Sequence, residues 1–158
     1  TPVAHRIAAE MIQLGVNPEE VYQAIYSSKE VTHLQLLGHM LQNVKVAGGG
    51  KIAWLEVNLD VRKKHHASAD DTQSFLNLLL LIKDAEVVCL FREEDDGNIR
   101  VSLKSKGRIV VNRIAMELGG GGHEFSAGLS LQATLDKTVE AVVKRIETQI
   151  IETEKAEK

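Results

Sequence analysis

Apolar residues recur at helical spacing at the start of the chain, where Ile7, Ala8, Met11, Ile12 and Leu14 share one side of a helix over His5–Leu14. A second helix follows at once. Asn17-Pro18-Glu19-Glu20 supplies an N-cap, a proline for the first turn and a glutamate in capping-box position, predicting a helix that runs toward Ser27. Val31–Leu41 predicts a third. The period then changes: Gly48-Gly49-Gly50 reads as a turn and Ile52–Val57 as a strand. Ser68-Ala69-Asp70-Asp71 predicts a capped helix running to about Ile82, and the unbroken apolar run Val87–Phe91 fits a buried central strand. After a polar turn over Glu93–Asn98, Ile99, Val101 and Leu103 alternate with Arg100, Ser102 and Lys104, so the next strand buries one face and presents the other. Asn112 is placed to cap a short helix before Gly119, Phe125–Leu131 reads as the last strand, and Val139, Val142, Val143, Ile146 and Ile150 stripe a final helix. The pattern predicts an α/β fold: a helical lead-in over 1–45, then a mixed β-sheet layered with helices over 46–158.

Composition narrows the class. At 158 residues and 44% apolar the chain can build a proper core, and a net charge of -3 excludes a surface that binds nucleic acid by charge alone. The single Cys89 excludes a disulfide framework, and no apolar run approaches the ~18 residues of a membrane span. A cytoplasmic setting with no membrane partner is expected. Thr1 stands where a chain would start with Met, and the helical pattern is under way from Pro2, so a piece of a longer protein is expected.

Candidate chemistry gathers near one motif, Gly119-Gly120-Gly121-Gly122-His123. Four residues without Cβ let a ligand lie against peptide N–H groups, which suits phosphate, and the imidazole adds a donor that becomes cationic when protonated. A flexible loop is the alternative. Arg100, Lys104, Lys106, Arg108 and Arg113 form a basic stretch with no acidic residue between them, in a chain that is acidic overall. They read either as phosphate contacts or as a solvated strand edge. A metal site finds little support: the six histidines lack an i, i+4 pair with a glutamate between, and one Cys makes no zinc site. His65-His66 reads as surface, Asp70 and Asp71 as helix caps, and Asp95-Asp96-Gly97-Asn98 as a turn. No nucleophile with a base beside it emerges, so no catalytic residue is expected in this chain.

In order, Leu90-Phe91-Arg92-Glu93, Val101-Ser102-Leu103-Lys104-Ser105-Lys106-Gly107 and Gly119-Gly120-Gly121-Gly122-His123-Glu124-Phe125-Ser126-Ala127-Gly128 resemble the C-terminal substrate-binding domain of the DHH phosphoesterase superfamily. The lead-in from Thr1-Pro2 resembles the connector of its oligoribonuclease and phosphoadenosine-phosphate phosphatase branch. The resemblance implies a missing N-terminal catalytic domain in cis, holding manganese or magnesium through an Asp-His-His motif and further aspartates. For this chain it implies a short oligonucleotide or nucleotide partner, with Gly120, Gly121, Gly122 and His123 on phosphate and Arg92, Ser102 and Lys104 close by. Similar glycine-rich domains serve RecJ-type exonucleases, cyclic-dinucleotide phosphodiesterases and alanyl-tRNA synthetases, and such a host is the rival expectation. Lys104 stands where many relatives carry Arg, turning a bidentate fork into a point charge, and Glu124 and Ser126 replace a commoner basic residue and Ala.

Overall fold

The structure, a computed structural model, describes residues 1–27, 30–65 and 74–157. Three helices lead in: α1 (Pro2–Gln13), α2 (Pro18–Tyr26) and α3 (Val31–Gln42). The first two start as their caps dictate. Thr1 Oγ1 accepts from the Ala4 N–H and Asn17 Oδ1 from the Glu19 N–H, with a proline opening each helix. Glu20 completes the second cap side chain to side chain, accepting from Asn17 Nδ2 at 3.2 Å. Neither α1 nor α2 buries a residue, whereas α3 buries Leu36 and Met40 in the domain core.

Six strands form one sheet: β1 (Lys45–Ala47), β2 (Ile52–Val57), β3 (Val87–Glu93), β4 (Ile99–Ser105), β5 (Gly121–His123) and β6 (Ser126–Leu131), in spatial order β1-β2-β3-β4-β6-β5. Only the β2–β3 pair is parallel. A parallel pair needs a crossover, and the connection carries α4 (Leu59–Lys64) and α5 (Phe75–Leu79). Two more helices complete the chain: α6 (Val111–Glu117) lies between β4 and β5, and α7 (Leu135–Ala156) follows β6.

Strand alternation sorts the core into two layers. On one face Cys89, Phe91, Val101, Leu103 and Leu129 pack with Ile114 of α6 and Val142 and Ile146 of α7. On the other face Leu55, Val88 and Leu90 pack with Leu36 and Met40 of α3 and Phe75, Leu76 and Leu79 of α5. This second core draws on β2 and β3 but on no residue of β4, β5 or β6. Among the described residues, no helix buries apolar side chains against β4, β5 and β6 on that face.

Several boundaries differ from the sequence expectation. β1 was not anticipated, because three residues are too few to show alternation; nor was α4, although Asn58 caps it by accepting from the Val61 N–H at 2.8 Å. The cap expected at Ser68–Asp71 lies outside the described residues, and the regular turn of α5 ends at Leu79, with i→i−3 bonds from Leu81 and Ile82 carrying the chain on. Asn112 is not a cap. Val110 holds that position, and Asn112 Oδ1 is buried with no hydrogen bond among the described residues. Phe125 sits in a hairpin turn, so the last strand starts at Ser126.

Cys89 is fully buried on the α7 side, where desolvation pushes its thiol well above the ordinary range. The folded protein should leave a thiol reagent unconsumed at about pH 8 and consume one equivalent once denatured. A fast native-state reaction, read by absorbance, would contradict the packing of β3.

Candidate phosphate-binding face

The glycine run is an ordered corner rather than a loose loop. α6 closes in a Schellman motif: the Gly119 N–H donates to the Met116 carbonyl at 3.2 Å and the Gly120 N–H to the Ala115 carbonyl at 2.7 Å, with Gly119 at φ +80°. The Gly120 N–H is thus engaged inside the fold. A Cβ at Gly120 would lie 2.3 Å from the Gly128 carbonyl oxygen and 2.5 Å from Leu129 Cβ, and one at Gly122 (φ +148°) would lie 2.6 Å from Ala127 Cα. Both positions demand glycine for packing. Gly121 differs, since a Cβ there meets nothing within 4 Å. The hairpin tip between β5 and β6 is tied down by the Asn112 N–H to the Glu124 carbonyl (3.3 Å) and the Ser105 N–H to the Phe125 carbonyl (3.0 Å).

Register places the candidate residues on that face of β4, β6 and β5. Lys104, Ser126 and His123 pair across β4, β6 and β5 in one row; Ser102, Gly128 and Gly121 form the next; Arg92, Arg100 and Ser130 form the third across β3, β4 and β6. All share a face, because Val101, Leu103, Ala127 and Leu129 between them point into the α7-side core. Gly128 and Gly121 lie side by side, so the middle row is a floor without side chains. Lys104 and Arg100 stand along one margin and His123 along the other. Strand spacing puts Lys104 and His123 about 10 Å apart at Cα, a gap their side chains can close on one anion.

The charges on this face are unequal. Arg92 is buried, and its Nε and one terminal nitrogen donate to Glu94 Oε1 at 2.9 and 2.6 Å, while Arg62 holds the other Glu94 oxygen at 3.1 Å. Lys104 Nζ donates to Asn77 Oδ1 of α5 at 2.6 Å, which brings the edge of the helical layer up to the floor. His123 is exposed. Two residues of the basic stretch serve the fold: Lys106 caps the carbonyls of Ile82 and Lys83, and Arg108 pairs with Glu86 and Glu157. Arg108 in turn holds the Glu157 carboxyl below the usual range through its hydrogen bonds. Arg113 lies on α6, off this face.

Among the described residues no three His, Cys, Asp or Glu side chains converge as a metal site. His39 and His65 bring their rings to 5.9 Å, while His66, Asp70 and Asp71 lie outside the described residues. His33, by contrast, is buried edge-on against Phe75. Sequence reasoning missed the structural part of the glycines and the floor position of Gly128; the alternation of β6 around Ala127 and Leu129 carries that signal.

A two-layered α/β domain whose helix-to-hairpin corner is built from consecutive glycines is a recognisable class. The chain belongs to the DHHA1 domain family, which matches residues 49–152, and so is a C-terminal associated domain of the DHH superfamily. It is 27% identical over 151 residues to the bifunctional oligoribonuclease and PAP phosphatase NrnA of Thermus thermophilus, covering 95% of this chain and 44% of that protein. Against the NrnA of Bacillus subtilis the identity is 31% over 126 residues, covering 80% and 39%. The chain thus spans less than half the length of these relatives. Among solved structures, an exopolyphosphatase-related protein of Bacteroides fragilis superposes with a TM-score of 0.86 at 26% identity, covering 94% of this chain and 44% of that one. A pGpG-specific phosphodiesterase, PggH, of Vibrio cholerae shares the fold with a TM-score of 0.59 at 15% identity, covering 97% and 52%. Among the described residues no helix is long and apolar enough to cross a membrane.

Proposed function

We propose that this chain is the substrate-binding half of a metal-dependent phosphoesterase that hydrolyses short oligonucleotides or nucleoside bisphosphates. The observation that carries the proposal is the side-chain-free floor at Gly121 and Gly128, which lies between Lys104 and His123 on one sheet face. A tetrahedral phosphate can approach peptide groups there as closely as van der Waals contact allows, while both margins offer donors. Relatives that act on oligoribonucleotides and PAP support the same chemistry.

In this reading residues 1–45 connect to a catalytic domain in cis, and manganese or magnesium in that domain supplies the metal-activated water for hydrolysis. The chain's own residues bind and orient. His123 donates to a phosphate oxygen and offsets its charge, Lys104 contributes a second cation, and Ser102 lines the row beside the floor. Arg92, clamped by Glu94, acts as a buried charge at the end of that surface. The setting in this reading is cytoplasmic. Gly120 and Gly122 hold the corner rather than the ligand.

The test is a titration of the chain with adenosine 3′,5′-bisphosphate over a range of salt concentrations. Lys104→Ala should weaken binding and lower the slope of log affinity against log salt by about one counterion, while Lys104→Arg should bind as well or better. Equal slopes in wild type and Lys104→Ala would make the lysine a tether to Asn77 and nothing more.

A further inference from the structure

His39 and His65 come from two different helices and bring their imidazole rings to a centroid separation of 5.9 Å, with the planes tilted by 34°. His39 lies in the last turn of α3, one place before the buried Met40, and His65 is the C-cap of α4. Both backbones are fixed without help from the rings: Asn43 Nδ2 donates to the His39 carbonyl at 2.7 Å, and the His65 N–H donates to the Val61 carbonyl at 3.2 Å. The rings themselves make no hydrogen bond or ion pair among the described residues, whereas His33 on the same helix is buried against Phe75. His39 is exposed and His65 half-buried, so neither belongs to the core. Two imidazolium rings this close repel each other, and two neutral ones leave a nitrogen lone pair unused on each.

We propose that His39 and His65 form a two-imidazole site for a divalent ion of the zinc class, which pins the end of α3 to the end of α4. Two imidazoles on one tetrahedral ion place their ring centroids about 5 Å apart, given metal–nitrogen bonds of about 2.0 to 2.1 Å, so a closure of about 1 Å brings this pair to bonding geometry. Rotation of the exposed His39 side chain can supply it. Beside His39 a cavity of ≈ 210 Å³, lined also by Asn43 and Asn58, leaves room for the water ligands that complete the coordination. Lys45, on the same cavity, is neutralised by Glu56 at 2.8 Å. Lys63 and Lys64 are exposed just before His65 and oppose an added positive charge, so the two metal–nitrogen bonds must carry the affinity. Imidazole favours zinc, nickel or copper over magnesium and manganese, which prefer carboxylate and water. The site is therefore distinct in chemistry from the metal assigned to the catalytic domain, and it does not rest on the proposed function of the sheet face.

The test is a calorimetric zinc titration of the tag-free, chelator-stripped chain at about pH 7.5, where imidazole is mostly neutral. It compares wild type with His39→Ala, His65→Ala, the double variant and His5→Ala, a control on α1. Wild type should bind one zinc ion, and each single variant should bind about a hundredfold more weakly, because the second bond of a chelate forms at high effective concentration. The two losses should not add in the double variant, and His5→Ala should bind as wild type does. In thermal melts, zinc should raise the melting temperature of wild type and of His5→Ala but of neither single variant, and manganese should raise none. Losses that add, an equal loss in His5→Ala, or a wild type that binds no zinc would each overturn the pair as a site. Zinc binding without a melting shift would overturn the pinning of α3 to α4. If either alanine variant unfolds, His39→Gln and His65→Gln repeat the comparison with side-chain bulk retained.

Discussion

Gly120→Ala should lower the stability of the domain by about 2 to 3 kcal/mol, seen as a melting temperature about 5 to 12 °C lower, because the new methyl is forced into backbone. Its Cβ would fall 2.3 Å from the Gly128 carbonyl oxygen and 2.8 Å from Leu129 Cα, neither of which is the free end of a side chain. The same corner carries the Schellman bond from Gly120 to Ala115, so β5 cannot move away without opening the end of α6. Gly122→Ala should behave alike, for it adds a φ of +148° to a contact of 2.6 Å with Ser126 O. Gly121→Ala is the internal control. Its Cβ meets nothing within 4 Å, so the melting temperature should hold, while a methyl on the floor should push a phosphate off the peptide and weaken nucleotide binding. Thermal melts of the three variants beside one binding titration settle the division. A Gly120→Ala protein as stable as wild type would show that the corner relaxes easily, and unchanged affinity in Gly121→Ala would remove the floor from the site.

That division was not readable from the chain. Four consecutive glycines look alike as sequence, and their roles separate only through the neighbouring strand: Gly120 and Gly122 face β6 closely, Gly119 ends α6, and Gly121 faces open space. By contrast the alternation Ile99 to Lys104 was legible because a strand has period two, and one apolar core fixes which residues lie on the other face. The basic stretch shows where adjacency misleads. Arg100 and Lys104 share one sheet face, but Lys106 and Arg108 lie past the end of β4 and are engaged by the carbonyls of Ile82 and Lys83 and the carboxylates of Glu86 and Glu157, contacts that no local pattern announces. The lead-in helices show a different limit. Periodicity identified an apolar side of α1, yet Ile7, Met11 and Ile12 are each about half exposed, because amphipathicity says that a face is apolar and not what covers it.

His123→Ala should reduce affinity for adenosine 3′,5′-bisphosphate roughly tenfold to a hundredfold, the effect of losing one charge-assisted hydrogen bond of ~1.5 to 3 kcal/mol. The fold gives the imidazole little else to do. His123 is exposed at the end of an edge strand, opposite Ser126, and no hydrogen bond or ion pair within the described residues involves its ring. Removing the ring therefore leaves no buried partner unsatisfied, and the melting temperature should stay within about 1 to 2 °C of wild type, as for other surface changes of about ±0.5 kcal/mol. The pairing of outcomes decides the role. Lost affinity with an unchanged melt assigns His123 to the ligand, whereas an unchanged affinity with a lowered melt assigns it to closing the β5–β6 hairpin. His123→Lys separates charge from geometry: an ammonium on a flexible stem restores a point charge but not the fixed direction of a ring nitrogen. Partial recovery of affinity with a steeper salt dependence is the expected reading.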